Sequence, residues 1–86
     1  MKAYDLRLKR SAERDLDNLP SRTHDRIIAR LMSLKENPLP VGVVKLKGRE
    51  GYRLRVGDYR VIYTVDDINM KVEVLSVAHR KEVYRV

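Results

Sequence analysis

Apolar and polar residues alternate most regularly between Tyr52 and Tyr63, where Tyr-Arg-Leu-Arg-Val and Tyr-Arg-Val-Ile-Tyr flank the pair Gly57-Asp58. Two such runs around a glycine-containing dipeptide predict a β-hairpin with a two-residue I′ or II′ turn. If Val56 and Tyr59 close the hairpin, Arg55 stands across from Arg60 and Leu54 across from Val61. One face then carries Leu54, Val56, Tyr59 and Val61 and reads as core. The other carries Arg53, Arg55 and Arg60. Like charges facing each other across a sheet cost roughly 0.2 to 1 kcal/mol per pair, so the second face needs an explanation. Either the guanidinium groups splay into solvent or pair with Glu50 and Glu73, or they serve a polyanion, since fixed guanidinium forks suit bidentate contact with phosphate.

The rest of the chain supplies a scaffold for that hairpin. Lys2 to Leu8 alternates, with Tyr4, Leu6 and Leu8 on one side, and predicts a strand. Ser11 is the expected N-cap of a first helix from Ala12, with Ala12, Leu16 and Leu19 on one stripe. Pro20 interrupts this pattern, and Ser21 is the expected cap of a second helix. Ile27, Ile28, Leu31, Met32 and Leu34 form the apolar face of that helix, before Asn37-Pro38-Leu39-Pro40 stops it. Val41 to Leu46 reads as a loop or short extended piece leading to the hairpin. Asp66-Asp67-Ile68-Asn69 is a polar turn, and Met70 to Ala78 is a valine-rich strand whose apolar density predicts a central position with both faces buried. Residues 79–86 read as a terminal turn or brief helix. The order β, α, α, β, β, β predicts an α+β domain over residues 1–86, with an N-terminal strand, a helical hairpin and an antiparallel three-stranded meander. The helices would cover one face of a four-stranded sheet and leave the other open.

Charge adds a direction to this picture. Nineteen Lys and Arg against twelve Asp and Glu give a net charge of +7, and a small domain this basic is a candidate for nucleic acid or another acidic partner. The stretch from Val44 to Arg60 holds six basic residues (Lys45, Lys47, Arg49, Arg53, Arg55, Arg60) against Glu50 and Asp58, more than half of the net excess. Arg22, Arg26 and Arg30 recur at i, i+4 on the second helix. Such a row is most often a solvated face and otherwise touches a large RNA or an acidic partner. Without cysteine there is no disulfide framework, thiolate metal site or cysteine nucleophile. His24 and His79, the two histidines, lie far apart, so no metal or other cofactor is expected. No run approaches the roughly 18 apolar residues of a membrane span, and the N-terminus lacks the apolar core of a signal peptide, so the expected location is cytoplasmic.

Hydrolase elbows, P-loops and dinucleotide-binding glycine patterns are missing from the sequence. What remains is the joint occurrence of Arg53, Arg55, Arg60, His79, Arg80 and Tyr84. These are parts for RNA cleavage by internal transesterification, in which a ribose 2′-hydroxyl attacks the adjacent phosphate without a metal. The reaction needs a base, cationic donors for the phosphorane and an acid for the leaving oxygen. His79 suits proton transfer near neutral pH, the arginines suit the phosphorane, and Tyr84 suits base stacking. Taken singly, His79 reads as a strand-end histidine and Tyr84 as a core anchor.

Lys45-Leu-Lys-Gly48, the Tyr52–Tyr63 hairpin and Val77-Ala-His-Arg-Lys-Glu-Val-Tyr-Arg85, in that order after a strand and a helical hairpin, closely resemble the RelE branch of the RelE/ParE toxin superfamily. The resemblance implies a toxin of a type II toxin–antitoxin pair that enters the ribosomal A site and cuts mRNA there. It also implies inhibition by a cognate, RelB-like antitoxin and joint repression of their operon, with operator DNA reached through the antitoxin. By position, Arg60 and Arg80 match the branch's phosphate-stabilising arginines, Tyr84 its base-stacking tyrosine, and His79 a histidine of many relatives. Lys45, Lys47, Arg49, Arg22, Arg26 and Arg30 are the accompanying RNA-binding candidates. Arg53 and Arg55 fall where the best-studied branch has lysines, and an arginine, which holds its proton far more tightly than a lysine, is a poor general base. His79, Lys45, Lys47 or positioning by the ribosome are the options that remain. The other readings are a gyrase-directed poison of the ParE branch, a basic RNA-binding module without catalysis, and an inactive relic.

Overall fold

The computed structural model describes residues 3–83. Its elements run β1 (Asp5–Leu8), α1 (Arg10–Asp17), α2 (Ser21–Ser33), β2 (Val44–Lys45), β3 (Tyr52–Val56), β4 (Tyr59–Asp66), β5 (Lys71–His79) and α3 (Arg80–Val83). The strands form one sheet in the order β1-β5-β4-β3-β2, antiparallel except for the parallel pair β1–β5. It is an α+β fold with five strands rather than four. The additional strand is the two-residue β2, which adds to the edge of β3 within the stretch read as a loop or short extended piece.

Neither expected serine cap forms. Lys9 caps α1, its carbonyl accepting the Glu13 N–H at 2.9 Å, and Pro20 caps α2, its carbonyl accepting the His24 N–H at 2.8 Å. Ser11 lies one position inside α1, and its hydroxyl donates to the Leu75 carbonyl at 2.7 Å. The apolar stripe of α2 is also narrower than its composition, since Ile27 and Leu31 are buried while Met32 is half exposed.

The core lies between the helices and one sheet face. Leu54, Val56, Val61, Tyr63, Val72, Val74 and Val77 meet Ala12, Leu16, Ile27, Leu31 and Leu34 there. Their spacing follows the two-residue strand period except in β5, where the buried valines step from 72 to 74 and then to 77. The cause is a bulge: Ile62 pairs with Ser76 but Tyr63 with Val74, which leaves Leu75 over. Two side chains one turn apart on α1 satisfy the backbone groups around it. Ser11 takes the Leu75 carbonyl, and the Asp15 carboxylate accepts the Val77 N–H at 2.9 Å. β5 is an interior strand, between β1 and β4, but it is not buried on both faces. Lys71 is exposed and Glu73, Leu75, Ser76 and Ala78 are partly so, and the run of apolar letters reflects the bulge rather than a second covered face.

Candidate functional site

The hairpin forms in the expected register, with Val56 opposite Tyr59, Arg55 opposite Arg60, Leu54 opposite Val61 and Arg53 opposite Ile62. Gly57 has φ of 60° while Asp58 stays out of the positive-φ region, the signature of a II′ turn with glycine first. Arg53, Arg55 and Arg60 therefore share the open face, away from both long helices. Directly opposed residues carry Cβ atoms about 4.5 to 5.5 Å apart, and Arg55 reduces the clash of charge by turning along its own strand. Its Nε donates to the Gly57 carbonyl at 3.2 Å. Arg60 is half-buried, with Nη1 withdrawn from solvent. Glu73 does not face the arginines, being paired with Thr64 toward the other end of the sheet.

Two more arginines reach the same turn from distant parts of the chain. The Arg80 N–H donates to the Asp58 carbonyl at 2.7 Å, and its Nε lies 3.9 Å from Asp58 Oδ1. Arg26 crosses from α2 so closely that a Cβ placed on residue 57 would stand 3.3 Å from its Nη1. Arg26 lines a cavity of about 130 Å³ with Thr23, Val56, Asp58 and Tyr59. The turn thus gathers Arg26 and Arg55 at Gly57 and Arg80 at Asp58, with Arg60 in the adjoining cross-strand pair. Several fixed cations beside a single anion form a surface that attracts phosphate.

The remaining candidates are placed differently. His79 pairs with Tyr59, so its ring lies on the helix-side face, opposite to the arginines. There it meets the Tyr59 ring edge-on, with centroids 5.2 Å apart and planes at 88°. Its Nδ1 accepts the Lys81 N–H at 3.2 Å, a side-chain cap on the start of α3. With Asp15, Asn18, Leu19, Tyr59 and Val77 it lines a cavity of about 230 Å³. Lys45 pairs with Tyr52, at the end of β3 remote from the turn and on the helix-side face. Lys47 and Arg49 are exposed in the connection that follows, and Arg22 is exposed on α2. Arg30 is half-buried and sits close enough to Tyr63 to act on its phenol. Tyr84 lies outside the described residues.

A cavity of about 850 Å³ occupies the other end of the open face, where Glu50, Asp66, Asp67 and Glu73 outnumber Lys9 and Lys71. Asp66 is held below the ordinary carboxylate range there, first by the Asn69 side-chain amide and then by the Asn69 and Ile68 N–H groups and Lys71. The open face is therefore polarised, cationic at the hairpin turn and anionic at the β4–β5 turn. Among the described residues no three His, Asp or Glu side chains are grouped to hold a metal ion, and no helix is long and apolar enough to cross a membrane.

Two residues at the turn, Asp58 and Arg26, acquire their place only through the fold. The Gly-Asp dipeptide signals a turn in the sequence, but nothing local reveals that Arg26 packs on it or that Arg80 docks beside it.

Comparison with known proteins bears on this geometry. Residues 6–84 match the family described as the ParE toxin of the type II toxin–antitoxin system parDE. The chain is 34% identical over 84 residues to toxin RelG of Mycobacterium tuberculosis, covering 95% of this chain and 97% of the relative. It is 33% identical to toxin RelE of the same organism, covering 96% and 88%. Among solved structures, the toxin–antitoxin complex RelBE2 of M. tuberculosis superposes with a TM-score of 0.82 at 32% identity, over 91% of this chain and 99% of that one. The archaeal RelE–RelB complex of Pyrococcus horikoshii does so with a TM-score of 0.82 at 30% identity, over 91% and 96%.

Proposed function

Because this chain belongs to the RelE/ParE family of toxins from type II toxin–antitoxin systems, we propose that it is a ribosome-dependent endoribonuclease that cuts mRNA in the A site and so stops translation. The observation that carries this reading is the opposition of Arg55 and Arg60 on an open sheet face, joined at the turn by Arg80. Such a pair lowers stability and has its use when a phosphate lies between the two guanidinium groups. In cleavage by the neighbouring 2′-hydroxyl, charge builds on the non-bridging oxygens of a pentavalent phosphorane. Arginine forks fixed in place before the reaction stabilise that charge with little reorganisation. Arg60, with one nitrogen already desolvated, suits the phosphorane, and Arg55 and Arg80 suit the flanking oxygens. Arg53 extends the basic face along β3, Lys47, Arg49 and Arg22 are proposed to meet the RNA farther from the turn, and Tyr84 is the proposed base-stacking residue. In this reaction the proton transfers fall to protein groups and water, so no metal is required.

A RelB-like antitoxin is the proposed regulatory partner, since the superposing M. tuberculosis and P. horikoshii structures are complexes of that kind. Operator DNA would be reached through it. The family description names ParE, which supports gyrase inhibition without RNA cleavage as the second reading.

Primer extension on a defined mRNA, with purified ribosomes and this protein, separates the two. Cuts within codons at the A site are expected. Full-length product together with failed supercoiling by gyrase would replace the nuclease reading with the ParE one.

A further inference from the structure

We infer that Asp58 is the group that accepts the proton of the attacking 2′-hydroxyl, an assignment that rests on the nuclease reading above. Cleavage needs a base within reach of the phosphate that the arginines hold, and the arginines themselves stay protonated. The other bases in the fold are placed less favourably. His79 projects from the opposite face, with Nδ1 already accepting the Lys81 N–H. Lys45 stands level with Tyr52, four residues down β3 from the turn, about 13 Å at the strand rise. Glu73, level with Thr64, and Asp66 lie farther still, five and seven residues along β4 from Tyr59.

Asp58 is the carboxylate carried by the turn itself, whereas Asp15, beside Tyr59 and His79, is engaged by the Val77 N–H. The charged and titratable groups around Asp58 are Arg26 from α2, Arg55 from β3, Tyr59 and Arg60 from β4, His79 from β5 and Arg80 from α3. Its side chain is 64% exposed, and its carboxylate faces Arg80 Nε at 3.9 Å, beyond hydrogen-bond distance, so its lone pairs remain available to a substrate hydroxyl. The turn does not demand an acid at this position. Gly57 supplies the positive φ, and the second residue of a II′ turn has ordinary backbone angles that many residues adopt. An exposed carboxylate whose one ion pair, with Arg80, is long, at a turn that Arg26 and Arg55 also reach, suits a proton acceptor beside a bound phosphate.

The proton of the 2′-hydroxyl passes to an Asp58 oxygen as the 2′-oxygen bonds to phosphorus. The bond from phosphorus to the 5′-oxygen breaks, and that oxygen takes a proton from water. The products are a 2′,3′-cyclic phosphate and a 5′-hydroxyl, and Asp58 returns its proton to solvent.

The test is single-turnover cutting of mRNA on programmed ribosomes by wild type, Asp58→Asn and Asp58→Ala, with folding followed by circular dichroism. Asn suits the same turn, and its cutting rate is expected to fall by about 10²- to 10⁴-fold while the half-saturating ribosome concentration stays within about threefold. Added formate is expected to restore part of the Asp58→Ala rate, whereas chloride at equal ionic strength does not, a rescue that a purely structural role would not give. Wild type that cuts alongside an Asp58→Asn variant of similar rate overturns the assignment and leaves the nuclease reading standing. Loss in both variants without rescue by formate also overturns it, since a turn or docking role gives that result. No cutting by wild type removes the nuclease reading and this assignment together.

Discussion

Tyr63 gives a quantitative handle on the core beneath the hairpin. Its side chain is fully buried, and its hydroxyl donates to the Pro38 carbonyl at 2.7 Å. Burial pushes the phenol up to about 12, Tyr52 adds to the rise and Arg30 opposes it. An unfolded tyrosine titrates near 10. The native state therefore holds this proton more tightly than the unfolded chain, so the contribution is complete below about pH 10 and is lost as pH rises from about 10 to 12. Two pH units correspond to about 2 to 3 kcal/mol. Every other ionisable group is common to both proteins, so the effect is read as a difference from Tyr63→Phe. At neutral pH the variant lacks one hydroxyl hydrogen bond and is expected to be less stable by about 1 kcal/mol. Near pH 12 the order reverses, with the variant more stable by about 1 to 2 kcal/mol. Urea unfolding followed by circular dichroism from pH 7 to 12 gives both curves, which should cross near pH 11. Parallel curves would refute the assignment of a strongly desolvated phenol at this position.

Three further outcomes follow from the geometry. Asp15→Ala removes the acceptor for the Val77 N–H beside the β5 bulge and should cost about 1 to 3 kcal/mol, seen as a lower urea midpoint, while Asp15→Asn, which keeps an oxygen, should retain most of the stability. Gly57→Ala places a Cβ at positive φ, costing about 1 to 2 kcal/mol, and brings it within 3.3 Å of Arg26 Nη1; a lower thermal midpoint and weaker cutting on ribosomes are expected together. Arg55→Thr relieves a facing like-charge pair, so thermal stability should hold or rise by up to about 1 kcal/mol, while cutting measured by primer extension falls.

The legible part of this molecule is the part governed by local periodicity. Register across the hairpin followed from Gly57-Asp58 and from alternation, so the partners of Arg55 and Leu54 could be written down from the residues alone. The α+β class followed from two helical stripes and four strand patterns. What escaped the sequence depends on contacts between distant segments. Ser11 looks like a cap by composition, but the bulge carbonyl of Leu75 competes for its hydroxyl. The same bulge shifts the phase of β5, so no counting along Val72 to His79 under strict alternation could place the His79 ring on the helix side. β2 is two residues long, too short to leave a pattern. The positions of Arg26 and Arg80 depend on how α2 and α3 dock on a turn more than twenty residues away in either direction.

The division between stability and chemistry in the hairpin comes from the two-residue period itself. Leu54, Val56, Val61 and Tyr63 are buried against the helices, and their neighbours Arg53, Arg55 and Arg60 point the other way. A change on the arginine face therefore leaves the core packing untouched, and a change in the core shifts the whole face as a rigid unit. Cutting and stability should consequently respond in opposite senses to Arg55→Thr and fall together for Gly57→Ala, because the glycine sits where the two faces join and where Arg26 and Arg80 reach the hairpin. If the turn only connected strands, its substitution would be felt as stability alone. The convergence of α2, β3 and α3 on Gly57 and Asp58 makes the turn the point where the fold sets the spacing of the cations.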